Sequence, residues 1–198
     1  RSEVAARLGA PLPRRDPSAR PWSDAIETSL GGRGSLPSRQ AAAERALALA
    51  VAAGWQDSRL AFSHFAVARL HAGSDPARAL EAFQRAAGLY ARLPGGSVRI
   101  AHIDMQLAAM ALAGGLSDEA ARLAERAIPE ARRHGNLALA TTLMLIQAEA
   151  LERRGDSGAA AALRLDSQPL ARYGYGPDKV VQDRMRDIAT VADRAGNG

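Results

Sequence analysis

IAHIDMQLAAMALAGGLSDEAARLAERAI, residues 100–128, decides how this chain is read. An apolar helix comes first, then Gly114–Gly115 with Ser117, then an amphipathic helix centred on Ala120. Alanine and leucine are strong helix formers, whereas β-branched and aromatic residues favour strands. Glycine takes the left-handed conformation that ends helices, and serine caps the next one. A turn this short forces the two helices to run antiparallel. The same pattern returns in LAFSHFAVARLHAGSDPARALEAFQRAAGL (60–89) and TTLMLIQAEALERRGDSGAAAALRLDS (141–167). The alanines after the turn, Ala79, Ala120 and Ala160, are spaced by 41 and 40 residues. A weaker copy of the second helix is centred on Ala43, 36 residues before Ala79.

The spacing predicts helices over 37–53, 58–72, 75–92, 97–113, 117–134, 137–154, 156–171 and 178–194. Gly54, Gly73, Gly114–Gly115, Gly135 and Gly155 are the stops. Asp57, Asp75, Ser117, Asn136 and Asp156 are the N-caps. The last segment carries Val180, Val181, Met185, Ile188 and Val191 on one face. Arg184, Arg186, Asp187 and Asp193 lie elsewhere. Terminal units of helical stacks need a polar outer surface, so this segment reads as a cap. A homo-oligomer contact through the same helix is the sharper alternative. Residues 1–36 differ. Pro11, Pro13, Pro17, Pro21 and the GGRGS at 31–35 suggest an irregular arm with short helical pieces at Ser2–Gly9 and Trp22–Leu30. Ser23 or Asp24 would cap the second piece, and Trp22 would pin the arm to the body. The organisation is thus an arm over 1–36 and a helical domain over 37–198.

The repeat resembles the tetratricopeptide repeat family, in which a helix, a tight Gly-containing turn and a second helix recur. The family places small residues where its helices touch. Gly115, Ala120 and Ala127 match in the second unit, Gly155 and Ala160 in the third, and Gly73, Ala79, Phe83 and Ala86 in the first. Small residues let backbones approach closely. The resemblance covers 37–195 and departs in three ways. The units exceed the usual length of about 34 residues. Asp104 and Met144 stand where an aromatic is usual. The closing proline is displaced, with Pro94 and Pro129 nearby.

The resemblance implies an all-α, right-handed superhelical stack of antiparallel hairpins with about seven or eight helices, of the long-helix bacterial type. It also implies a concave groove lined by the first helix of each hairpin. Carried over residue by residue, the groove positions are His64, Ala68 and His71; His102, Met105 and Ala109; and Thr142, Leu145 and Glu149, with Glu152 extending the row. This groove would hold imidazoles at one end and carboxylates at the other. The ordinary alternative for the histidines is a half-buried polar residue on a helix surface. His64 and His71 are seven apart, not the four of a helical zinc pair. A pH-sensitive contact to an acidic peptide is the sharper alternative.

Composition narrows the function. The chain has 198 residues, 47% apolar and only 4% aromatic, with a net charge of +5. Lys179 is the single lysine, a bias that fits GC-rich bacterial coding. The acidic residues are interspersed with the arginines, so direct nucleic-acid binding is not expected. Without cysteine the chain makes no disulfide, Cys-ligated zinc site or thiol nucleophile. No apolar run approaches the roughly 20 residues that span a bilayer. Arg154-Gly155-Asp156 falls at a helix turn, where Gly and Asp have structural work. GGRGS lacks the Lys-Ser/Thr of a phosphate loop, and no G-x-S-x-G or H-E-x-x-H occurs. SEVAARLG at 2–9 looks like the opening of a helix-turn-helix, but APLPRRDP spoils the helix that would follow.

The leading expectation is a protein- or peptide-binding adaptor, not an enzyme, without cofactor or metal. The alternative is a sensory, regulatory or oligomerisation domain of a bacterial transcription regulator. A third, an enzyme on a helical scaffold, predicts a deep pocket of convergent ionisable groups. A cytoplasmic location is expected; because residue 1 is Arg, a mature exported form or a piece of a longer chain stays open.

Overall fold

The structure is a computed structural model that describes residues 16–175, 180 and 182–188. Eight helices follow one another: α1 (Ala19–Leu30), α2 (Leu36–Ala52), α3 (Ser58–His71), α4 (Pro76–Tyr90), α5 (Gly96–Ala113), α6 (Ser117–Arg133), α7 (Leu137–Arg153) and α8 (Ser157–Gly174). Residues 182–188 are also helical, and no strand occurs among the described residues. The fold is all-α. The expected helix at Ser2–Gly9 and the ends of the expected helix at 178–194 lie outside the described residues.

Local chemistry sets the boundaries. Asp57, Asp75, Asn136 and Asp156 each accept a hydrogen bond from a backbone N–H of the first turn that follows. That satisfies a donor which the helix itself leaves unpaired. Ser117 does not cap. It is the first residue of α6, and Leu116 stands at the cap without a side-chain bond. Gly115 ends α5 at φ +75°, a conformation an L side chain rarely adopts. Gly73, also expected as a stop, is not at positive φ.

Proline departs from the sequence reading at Pro21. α1 begins at Ala19, with Pro21 in its first turn. The N–H that proline lacks has no helical partner there, so Pro21 does not break the helix. α8 continues through Pro169 to Gly174, and α6 likewise contains Pro129. Both prolines and the residues four before them, Glu125 and Leu165, are exposed. Water therefore reaches the backbone that each proline leaves unpaired, and packing against the neighbouring helix holds the rest.

Residues 16–30 are tied to the body. Trp22 Nε1–H donates to Ser63 Oγ (2.8 Å), and the Trp22 and Trp55 rings meet edge to face at 5.7 Å. Trp55 Nε1–H donates to Asp16 Oδ2 at 2.8 Å. The Arg59 guanidinium lies 3.6 Å over the Trp55 ring and bonds both Asp16 and Asp57. Stacking leaves the guanidinium edge free for its hydrogen bonds.

Each helix packs on the next, and α1 also touches α3, as α5 touches α7. Two apolar clusters result. One joins α2, α3 and α4 around Phe83, Val67 and Trp55; the other joins α5 to α8 around Leu112, Leu143 and Ile146. They meet along α5, where Leu107 packs against both. Ala79, Phe83, Ala86, Ala120, Ala127 and Ala160, singled out as contact positions, are all buried. Gly174 serves the same close approach, since a Cβ there would lie 2.6 Å from the Ala138 nitrogen.

Asp104 is buried where a hydrophobe would be ordinary. Arg126 of α6 reaches it with Nε at 3.0 Å and Nη2 at 2.5 Å. Asp104 is 7% exposed on its side chain and Arg126 is 55% exposed. Removing Arg126 strands a buried carboxylate, whereas removing Asp104 leaves an arginine that water can solvate. Arg126→Ala should therefore lower the unfolding free energy by about 2–3 kcal/mol and Asp104→Ala by about 1 kcal/mol, after discounting for the exposed guanidinium. Urea unfolding followed by circular dichroism measures both; equal losses would contradict this account.

Candidate functional site

The ten groove positions separate into two groups. His64, Ala68 and His71 share a face of α3 that meets α2 and α4. His64 lines a cleft of about 180 Å³ with Leu47, Arg78, Glu81 and Arg85. Ala68 has no exposed surface. His71 Nε2 stands 3.3 Å from Glu44 Oε1, and Arg78 reaches the same oxygen at 2.5 Å. Burial lowers the His64 pKa, and the nearby Arg85 charge lowers it further; Glu81 and Glu44 oppose.

The second group is on α5 and α7. His102 Nδ1–H donates to the Val98 carbonyl at 2.9 Å within its own helix. Met105 is half-buried against the second cluster. Thr142 is buried; its hydroxyl donates to the Ala138 carbonyl at 3.0 Å and also meets the Tyr175 hydroxyl. Ala109, Leu145 and Glu149 converge beneath residues 182–188. Ala109 shares a cleft of about 80 Å³ with Leu112, Ile146, Arg184, Asp187 and Ile188. Leu145 and Glu149 share another, of about 280 Å³, with Arg164, Met185, Arg186 and Ile188. Ile188 is 7% exposed and belongs to the buried cluster, with Met185 packed beside it.

Charges sit at the edge of this surface. Glu149 accepts from Arg153 Nε at 3.3 Å and Arg164 Nη2 at 3.4 Å. Glu152 accepts from Ser157 Oγ at 2.6 Å and Arg164 Nη1 at 2.8 Å. The Ser157 hydroxyl first, then Arg164, hold the Glu152 carboxyl below its ordinary range. The result is an apolar floor of Ala109, Leu112 and Ile146 with a carboxylate and a guanidinium at one margin, and a short amphipathic helix laid across it.

The amphipathic pattern of the terminal segment was legible in the sequence; its seat on α5 and α7 was not. Arg164 was also missed, because nothing local in ALRLDS links it to Glu149 and Glu152 one helix earlier. A larger concavity lies elsewhere, about 1090 Å³ between Arg132 of α6 and the outer flank of α8, where Leu165 and Tyr173 are exposed. Its lining holds one carboxylate, Asp166, and no histidine. Among the described residues no group of three His, Cys, Asp or Glu could hold a metal ion, and no helix is long and apolar enough to cross a membrane.

The chain matches no protein-family model, no curated protein and no solved structure.

The His64 environment sets a pH response. A depressed folded pKa means the fold prefers the neutral imidazole. That stability is whole above the unfolded value of about 6.5 and is lost as pH falls through the folded value. Asp16 and Asp57 are also depressed, first by the hydrogen bonds from the Ser18 backbone and from Arg59 respectively, so their share is lost only below about pH 4. Thermal melts from pH 8 down to 3 should show two declines, and His64→Gln should remove only the upper one. A variant that keeps the upper decline would assign it to another group.

Proposed function

We propose that this chain is a protein- or peptide-binding adaptor, built as a tetratricopeptide-like stack of helical hairpins, and that it binds through the face shared by α5 and α7. The observation that carries this reading is the helix at residues 182–188 laid across Ala109, Leu112 and Ile146. A surface that receives an amphipathic helix within its own chain has the shape and chemistry to receive one from a partner. Helix-in-groove recognition works in this way, through apolar side chains at i and i+3 or i+4. The contacts of α1 with α3 and of α5 with α7 fit first helices lying side by side in neighbouring hairpins. The half-buried Ala109 supplies a small residue where a partner backbone can come close.

An enzymatic role receives no comparable support. The floor of this face is apolar, Glu149 is engaged by Arg153 and Arg164, and Glu152 by Ser157 and Arg164.

Selection of helical peptides from a displayed library tests the reading. It should be run on the chain and on a variant with Ile188→Asp, which loosens the terminal segment. Enriched sequences should be amphipathic, and adding Ala109→Arg should weaken them at least tenfold while far-UV circular dichroism stays unchanged. Enrichment of nothing by either chain, or binding indifferent to Ala109→Arg, rejects the adaptor.

A further inference from the structure

We infer that residues 182–188 are a replaceable occupant of the α5–α7 face, holding it until a partner's amphipathic helix, with apolar residues three apart and an arginine beside them, takes their place. This rests on the adaptor reading and adds what the site binds and how access is controlled.

The fit of the segment carries the inference. Among the described residues its apolar hold comes from Ile188, which is buried, and Met185, which is half-buried, while Val180 is 42% exposed. Space remains on both sides of Ile188, about 80 Å³ towards Ala109 and about 280 Å³ towards Glu149. Both clefts open to solvent, so a bulkier helix has room in them for contacts that the segment does not make. Arg184 Nε is buried with no hydrogen-bond partner. A buried donor left unsatisfied weakens the state that contains it. Glu149, in the larger cleft, is held by its two arginines only at 3.3 and 3.4 Å. A carboxylate so loosely held has room for a closer, charge-assisted bond from an incoming arginine, normally about 2.7–2.9 Å.

A poorly fitting segment stays bound because it is tethered. With an effective concentration of about 1 mM and an intrinsic Kd of about 0.1 mM, it fills the face about nine-tenths of the time. A partner then binds about tenfold more weakly than it would to the open face, because only the open fraction is competent.

The probe is a fluorescent peptide of this chain's own residues 178–194, titrated by anisotropy against the full chain. Its Kd should be about tenfold lower for the chain carrying Ile188→Asp than for the unaltered chain. Ala109→Arg, added to Ile188→Asp, should abolish binding, as should Ile188→Asp placed in the peptide. Where Ile188→Asp unfolds the chain, the pair Met185→Ala and Ile188→Ala replaces it, with the same expectation. Equal affinity for the closed and released chains overturns the inference, as does unfolding of both released variants, which would make the segment part of the core. Concentration-dependent dimers that exchange the segment would also overturn it, by making a second copy the occupant. The adaptor reading survives each of these results if selected peptides still depend on Ala109.

Discussion

Alanine sets how near these helices can come, and the rest of the structure follows from that distance. Ala43, Ala46 and Ala50 of α2, Ala79 and Ala86 of α4, Ala120 and Ala124 of α6, and Ala160 of α8 are all fully buried. A methyl group at each crossing lets two backbones pack closely along their length, and a larger side chain would push them apart and open voids. The apolar area buried per residue is modest in such a core. Large buried side chains such as Phe83, Leu112, Leu143, Met144 and Ile146 supply the volume that the alanines lack. Gly174 extends the rule to its limit, admitting the α7 backbone where even a Cβ would collide.

Charge plays a different part. Among the described residues several arginines reach acids on other helices: Arg78 with Glu44, Arg126 with Asp104, Arg154 with Asp118, and Arg164 with Glu149 and Glu152. Exposed pairs of this kind contribute about 0–1 kcal/mol each. Their planar, two-pronged geometry does more for register, fixing which turn of one helix faces which turn of the next. Asp104 and Arg126 show the point best, since the pair occupies a place where apolar packing would otherwise set the register.

The α5–α7 face combines both themes. Its floor is small and apolar, so a helix can lie close; its margin is charged, so the approach has a preferred direction. The terminal segment uses the floor through Ile188 and leaves part of the margin unused. By contrast, His64 and His71 are on a face of α3 that α2 and α4 already occupy. Both imidazoles therefore belong to the packing of α3, and His64 to the pH response, rather than to the surface that Ala109 and Glu149 share.

What the sequence determined by itself was local and periodic. Helix type, the order α2 to α7 and most of their ends follow from alanine and leucine content, from Asp57, Asp75, Asn136 and Asp156 as caps, and from Gly115 as a stop. These are properties of a few neighbouring residues, so they can be read from the chain alone. Pro21 misled because proline's effect depends on whether its missing donor had a partner, and that depends on where the helix starts. The 40- and 41-residue spacing predicted which alanines touch, but not which way each first helix turns its remaining face. Rotation about a helix axis is settled by all of its neighbours together. That is why His64 points to α2 and α4 while Ala109 and Leu145 meet residues 182–188, and why the seat of the terminal segment was decided only in three dimensions.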